Sequence, residues 1–421
     1  MRNVILVTFD SLRADHCGYG GYERDTTPTL DRMASEGIAY ENAVAPSVPT
    51  GPSMFSTLTG SPGTIDSEDF SQDKWHKEFA NRETLAGVLS EQGYDTAAFH
   101  ANPYGSSYFG FDKGFDTFED FVSKQELQTL TSSSTLNAYL ASIKRLANSE
   151  GTSITWERLY EPVEEWLSTA SEPYFLWVLL LDTHTPYLPP KGHRQWSDEG
   201  TLRQIYLQWK AQRRGWQVED ETSPLAGRLR NAYDDEIRYA DRFLERLRED
   251  TRDDDPIVIA HGDHGEGFGE HGYLRHPPRL HEELVHVPLV VHNAGRTDTV
   301  EKPVSLRDLP ATVTDLVDVE SDLPGESVAE GGRDWVYTGI FDDGKPNVAV
   351  RTEDWKYHAS DDGPRELYHL DEDPHEQENV LEQYPDVASQ LDRLLDSQRL
   401  ARTERRLIRE RTTESQFTAE R

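Results

Sequence analysis

Cysteine is almost missing from this chain: Cys17 is the single one in 421 residues. That excludes an internal disulfide framework and a cysteine-built zinc cage. Positive charge is also short, with 43 lysines and arginines against 77 aspartates and glutamates, a formal net charge of -34. Such a surface argues against nucleic acid and anionic membrane as partners. Long apolar runs are lacking too. FLWVLLL at 175–181 is only strand-sized, and the opening MRNVILVTFD is too short for a signal peptide or a membrane span. The expectation is a soluble, cytoplasmic protein.

What is present points to a folded core. Aromatic residues make up 10% of the chain, with nine tryptophans, which argues against disorder as the reason for the charge. The acidic residues are scattered through every segment rather than gathered in a tail. An ordinary acidic surface is the plain alternative. The preferred reading is halophily, because salt at about 1 M shortens the Debye length to about 3 Å and screens self-repulsion.

Four apolar runs suit buried parallel strands: VILVTF (4–9), TAAF (96–99), YFLWVLLL (174–181) and PIVIA (256–260). Helical patterns lie between them. TLAGVLSEQG (84–93) ends on Gly93, and NAYDDEIRYADRFLERLRED (231–250) carries Ile237, Ala240, Phe243, Leu244 and Leu247 on one stripe. Alternation of this kind predicts an α/β fold with a doubly wound, mostly parallel sheet flanked by helices. Segments of about 120–172 and 191–230 read as charged helical insertions. A small C-terminal α+β subdomain is expected over 326–396, with short antiparallel strands in 348–370 and a helix over 384–396. An Arg-rich charged helical tail, 397–421, follows.

Three of the four strands run into polar residues of one kind: Asp10, then Asp182-Thr183-His184, then His261-Gly262-Asp263-His264. Carboxyl ends of an open parallel sheet share one edge, where ligands bind, so these residues are expected to converge. APSVPTGPSMFSTLTG (45–60) belongs on the same edge. Pro52 suits the first position of a helix, which puts Thr50 at its N-terminus. Free N–H groups there favour an anion. Thr50 reads either as a helix cap or as a nucleophile facing a phosphoryl or sulfuryl group. Trp196, Trp209 and Trp216 read as packing residues, with an aromatic lid as the alternative.

NVILVTFDSLRADHCGYGGYERDTTPTLDRMASEGIAYENAVAPS…TGPSMFSTLTG resembles the amino-terminal signature of the sulfatase family, within the alkaline phosphatase superfamily. LDTHTPYLPP, the YDDEIRYAD helix, IAHGDHGEGFGEHGYLRHPPRLHEELVHVPLVV and SLRDLPATVTDL resemble its later blocks in order. WKY…ELYHLDEDPHEQENV resembles its carboxy-terminal subdomain. The resemblance implies an alkaline-phosphatase-like fold and one divalent ion (Ca2+, Mn2+ or Mg2+) bound by Asp10, Asp263 and His264, with Thr50 as a further ligand or close neighbour. Where such enzymes carry a second Asp after the first, this chain has Ser11.

The family's nucleophile motif is Cys or Ser, any residue, Pro, Ser, Arg, ten residues before the Gly of a Leu-Thr-Gly. Counting back from Gly60 reaches Thr50, with Met54 in place of the Arg. Ser47-Val-Pro is the rival start, out of register by three residues. A threonine has one hydroxyl and cannot use the formylglycine exit of the usual sulfatase. Its ester must be attacked by water, as in the phosphodiesterase, phosphonate-hydrolase and lipoteichoic-acid-synthase branches. The resemblance further implies His184 and His276 as catalytic groups, His276 standing where the family has lysine. Arg13, Arg275 and, less centrally, His271 are candidates for binding the substrate anion.

The leading reading is a metal-dependent hydrolase of sulfuric or phosphoric esters, acting on a small-molecule or carbohydrate ester. A phosphodiesterase, phosphomonoesterase or phosphonate hydrolase is the alternative within the class. A phospho- or sulfo-transferase and a non-catalytic anion-binding homologue are alternatives outside it. Halophily has a direct consequence. The melting temperature should rise with KCl from low to multimolar concentration, and a melting temperature independent of salt contradicts it.

Overall fold

Val4–Phe9 is the strand around which the rest is arranged. It pairs in parallel with Tyr174–Leu180 on one side and with Ile257–Gly262 on the other. The computed structural model describes residues 1–62, 71–122, 155–342, 345–360 and 363–396. The stretch 123–154 within the first expected insertion, and the Arg-rich tail, lie outside the described residues.

The main sheet has eight strands in the order Asp298–Val300, Ile38–Tyr40, Leu289–His292, Ile257–Gly262, Val4–Phe9, Tyr174–Leu180, Asp95–His100 and Thr117–Glu119. Among the described residues only Leu289–His292 runs antiparallel to its neighbours, so the sheet is mostly parallel as expected. All seven residues of Tyr174–Leu180 are buried. A strand covered on both faces needs no polar alternation, which is why these runs read as continuous apolar stretches.

Successive side chains of a strand point to opposite faces, so each central strand feeds two cores. Val4, Leu6, Phe175, Trp177 and Ile259 pack on the face that carries helices Thr50–Thr59 and Leu85–Glu91. Ile5, Val7, Leu176, Val178 and Val258 pack on the other, with helices Pro28–Glu36, Trp156–Leu167 and Pro224–Asp250. The last of these corrects the boundary expected at 231. Pro224 sits in the first turn, and Leu225, Ala226 and Leu229 extend the buried stripe upstream, so 224–230 belongs to this helix rather than to an insertion. Trp156–Leu167 is likewise a layer helix, with Trp156, Leu159, Tyr160 and Val163 buried.

The C-terminal part is a four-stranded antiparallel sheet, Val336–Asp342, Lys345–Arg351, Trp355–Ser360 and Glu366–His369. Val336, Ile340 and Ala349 join the main core. Tyr337, Val350, Tyr357 and Leu367 pack on Ala388, Leu391 and Leu395 of the helix 385–396. Among the described residues no helix is long and apolar enough to cross a membrane.

The acidic run in Pro224–Asp250 holds loops in place. Asp235, fully buried, accepts from the N–H groups of Gln195, Trp196 and Ser197 at 2.7–2.9 Å, and from the Ser197 hydroxyl. Asp241 accepts from the N–H groups of Thr29 and Leu30, which are otherwise free at the start of Pro28–Glu36. Hydrogen bonds to charged groups contribute about 1.5–3 kcal/mol. Asp235→Ala should therefore cost about 3 kcal/mol in a denaturant melt and raise amide exchange at Gln195–Ser197. An unchanged midpoint contradicts this role.

Candidate active site

The site starts from a strained turn. Val4–Phe9 runs out into Asp10 and Ser11, and Ser11 takes φ +66°, in the left-handed region that residues with a side chain seldom adopt. In that turn the Ser11 N–H donates to Asp263 Oδ1 at 2.9 Å and its hydroxyl to Asp10 Oδ1 at 3.1 Å. The His264 N–H donates to the same Asp263 oxygen at 2.8 Å. Thr183, past the end of Tyr174–Leu180, gives its hydroxyl to the Asp10 carbonyl at 2.6 Å. Three strand ends are thus tied into one edge.

Asp10, Asp263 and His264 are fully buried and present ligand atoms all within 4.8 Å of one another. Burial, with the neighbouring Asp263 charge, raises Asp10 to a pKa of about 8, and burial raises Asp263 to about 7. Asp263 Oδ2 has no hydrogen-bond partner among the described residues. His264 Nδ1 faces the Gly265 carbonyl at 2.9 Å, which places its N–H there and turns Nε2 toward the carboxylates. Nε2 lies 3.8 Å from Asp10 Oδ1 and 3.6 Å from Asp263 Oδ2. Two buried carboxylates, one oxygen without a donor, and an oriented imidazole fit a hard divalent cation.

Thr50 joins this group. Its hydroxyl lies 3.3 Å from His264 Nε2 and 3.3 Å from Asn102 Nδ2. The helix begins at Thr50 itself, with Pro49 at the cap position and no side-chain capping bond. Pro52 is therefore third in the helix rather than first, still within the turn whose N–H groups have no helical partner. The Thr50 hydroxyl is aimed at the cluster instead of capping. Ser47 hydroxyl is 3.5 Å from the Val48 carbonyl, and Ser53 donates to the Asp263 carbonyl at 2.6 Å, supporting the ligand loop.

Two further imidazoles extend in a row from His264 of the cluster. The ring centre of His276 is 4.6 Å from that of His264 and 5.3 Å from that of His184. Burial lowers the pKa values of His184 and His276, and nearby cationic groups, Arg275 among them, lower both further. His184 Nδ1 donates to the Thr185 carbonyl at 2.6 Å, and His276 Nδ1 faces Glu266 Oε1 at 3.3 Å. Arg275 has φ +68°, lies 5.0 Å from the centre of the Trp216 ring, and has no hydrogen-bond partner on its buried Nε among the described residues. Arg275, His276 and Trp216 line a cleft of about 920 Å³ that reaches His358 and Glu366 of the C-terminal sheet.

Two expected anion-binding residues are elsewhere. The Arg13 guanidinium is buried and held by carboxylates: Asp15 takes Nε and Nη2 at 2.8 and 2.6 Å, and Nη1 meets Glu270 at 2.5 Å and the Glu266 carbonyl at 2.9 Å. It clasps the ligand loop, with four of its five N–H donors already on protein oxygens. His271 has Nδ1 on Glu283 at 2.7 Å and Nε2 on the Glu376 carbonyl at 3.1 Å. Burial works against its charge, but Glu283 outweighs it and lifts the pKa to about 9. It belongs to the far wall of the cleft.

Asn102 was not expected. It follows the fourth strand, Asp95–His100, and donates to Asp10 Oδ2 at 2.5 Å as well as to Thr50. The signal was available, because that strand also ends on this edge. Glu266 is a further partner that only the fold reveals.

The chain matches the Sulfatase family model over residues 2–319. It is 23% identical to an arylsulfatase of Clostridium perfringens, with 93% of each chain covered. It is 25% identical to human iduronate 2-sulfatase, covering 70% of this chain and 60% of that one. Among solved structures, the phosphonate monoester hydrolase of Agrobacterium radiobacter superposes with a TM-score of 0.72 at 21% identity, over 95% of this chain and 96% of the other. A protein solved with its substrate D-glucosamine-2-N,6-O-disulfate superposes with a TM-score of 0.71 at 18% identity, over 94% and 97%. With a family model spanning most of its length, this chain belongs to the sulfatase family, hydrolases that act on sulfuric ester bonds.

If Asn102 positions Asp10 and Thr50, Asn102→Ala should cost about 1 kcal/mol through the lost cap on the Tyr104 N–H and weaken divalent-ion affinity about 10–100-fold by calorimetry. Unchanged affinity contradicts that role.

Proposed function

We propose that this protein is a metal-dependent hydrolase of sulfuric or phosphoric esters in which Thr50 is the nucleophile. One observation carries the reading: the Thr50 hydroxyl, at a helix N-terminus, is within 3.3 Å of a buried imidazole that shares a cluster with two buried carboxylates. Held by Asp10, Asp263, His264 and Thr50, a Ca2+, Mn2+ or Mg2+ ion would polarise the ester and favour the Thr50 alkoxide.

The chain's own groups do the rest. Asn102 donates to Thr50 Oγ1 and fixes the direction of attack. The free N–H groups of the first helical turn receive the anion's oxygens. Arg275 offers a cation to the same group, held at an angle by Trp216. His276, steadied by Glu266, and His184 are the groups placed to move a proton at the leaving oxygen. Water then cleaves the Thr50 ester, because a single hydroxyl offers no aldehyde exit.

The relatives named arylsulfatase and iduronate 2-sulfatase support sulfuric esters, carbohydrate ones included. The single hydroxyl of Thr50 supports phosphoric esters, whose serine- and threonine-bound intermediates yield to water. Turnover of paired aryl sulfate, aryl phosphate and aryl phosphodiester substrates with added Mn2+, Mg2+ or Ca2+ in high salt decides between them.

Thr50→Ala should lower kcat about 10⁴-fold or more on the true substrate. Because Thr50 makes no capping bond, the loss of stability should stay under about 1 kcal/mol. Ser47→Ala should stay active, and Thr50→Ser should retain substantial turnover. An active Thr50→Ala variant beside a dead Ser47→Ala variant overturns the assignment.

A further inference from the structure

Beyond the Asp10 cluster, the far wall of the cleft holds a second group of ligand-type side chains. One atom from each of His281, His358 and Glu366 lies within 4.8 Å of the others. We propose that these three residues bind a second divalent ion, a borderline transition metal of the zinc class.

Two elements bring the group together. His358 and Glu366 are a directly opposed pair on the antiparallel strands Trp355–Ser360 and Glu366–His369, so their side chains share one face. Tyr357 and Ala359 pack under the helix 385–396, which turns His358 the other way, toward the cleft. His281 comes from the main domain, immediately before the short helix Glu282–Val285.

Both histidines are oriented by an outer partner. The Tyr273 hydroxyl contacts His281 Nδ1 at 3.1 Å, leaving Nε2. Glu376 Oε1 holds His358 Nε2 at 3.0 Å, leaving Nδ1. A carboxylate behind one imidazole and a phenol behind the other is the arrangement that fixes metal-binding histidines. Among the described residues, no protein group is hydrogen-bonded to His281 Nε2 or His358 Nδ1.

The neighbouring His271, His281 and Glu283 group is the weaker candidate. His271 uses both nitrogens on protein oxygens, and its ring lies parallel to that of His281 at 3.6 Å, so the two cannot converge on one ion. Two imidazoles and one carboxylate suit zinc-class ions, which bind with edges of about 3.3 Å between donors in a tetrahedral shell. The side chains have only to draw in by an ångström or so. The fourth position would open into the cleft. The ion would also tie the C-terminal sheet to the main domain across the cleft.

The two sites are separable. Metal-stripped wild type, Asp263→Ala, and Asp263→Ala combined with His358→Ala and Glu366→Gln are titrated with Zn2+ by calorimetry, with circular dichroism confirming the fold. Wild type should bind two equivalents and Asp263→Ala one. The combined variant should bind the remaining ion about 100-fold more weakly. Co2+ added to Asp263→Ala should give the intense visible band of a tetrahedral site, lost on His281→Gln. No zinc bound by Asp263→Ala, or an affinity unchanged by the cleft substitutions, overturns the proposal.

Discussion

Two carboxylates placed side by side without water set the conditions for everything around them. Asp10 and Asp263 are fully buried at the end of adjacent parallel strands, and burial lifts their pKa values to about 8 and 7. In the unfolded chain they ionise near 3.8. Stability that the metal-free fold has below about pH 3.8 is therefore lost progressively as the pH rises from there to about 7–8, where both are charged in the fold. A divalent cation removes that conflict. The rest of the edge is built to hold the two oxygens still: the N–H groups of Ser11 and His264, the Asn102 amide, and the Thr183 hydroxyl on the Asp10 carbonyl. The left-handed turn at Ser11 is part of the same arrangement.

Much of this could be read from the residues in order. Continuous apolar runs marked the four central strands, and their polar endings marked the edge, because a parallel sheet has all its carboxyl ends on one side. Counting back from Gly60 separated Thr50 from Ser47, and the hydroxyl positions agree with that register. The helix 385–396 and the antiparallel strands before it were legible from turn residues and period.

The misses share a cause: partners far apart in the chain. Arg13 is a candidate for the substrate anion by charge alone, but Glu270, 257 residues later, folds back onto it. His271 looked like part of the glycine-rich ligand loop, yet Glu283 and the Glu376 backbone draw it to the other wall. Asn102 was hidden by type, since asparagine after a strand is ordinary turn chemistry. The upstream start of Pro224–Asp250 was obscured by its charged residues, which mask a stripe of Leu225, Ala226 and Leu229. Sequence spacing reports local geometry well and says little about which charges meet across the fold.

On the proposed function, the cluster exists to make Thr50 attack an ester. Rapid quenching during the first turnover, followed by peptide mass spectrometry, reads this out. The expected result is a burst of leaving group matched by one phosphoryl or sulfuryl group on the peptide carrying Thr50, located at Thr50 by fragmentation. A burst with no adduct there, or an adduct on another residue, contradicts it.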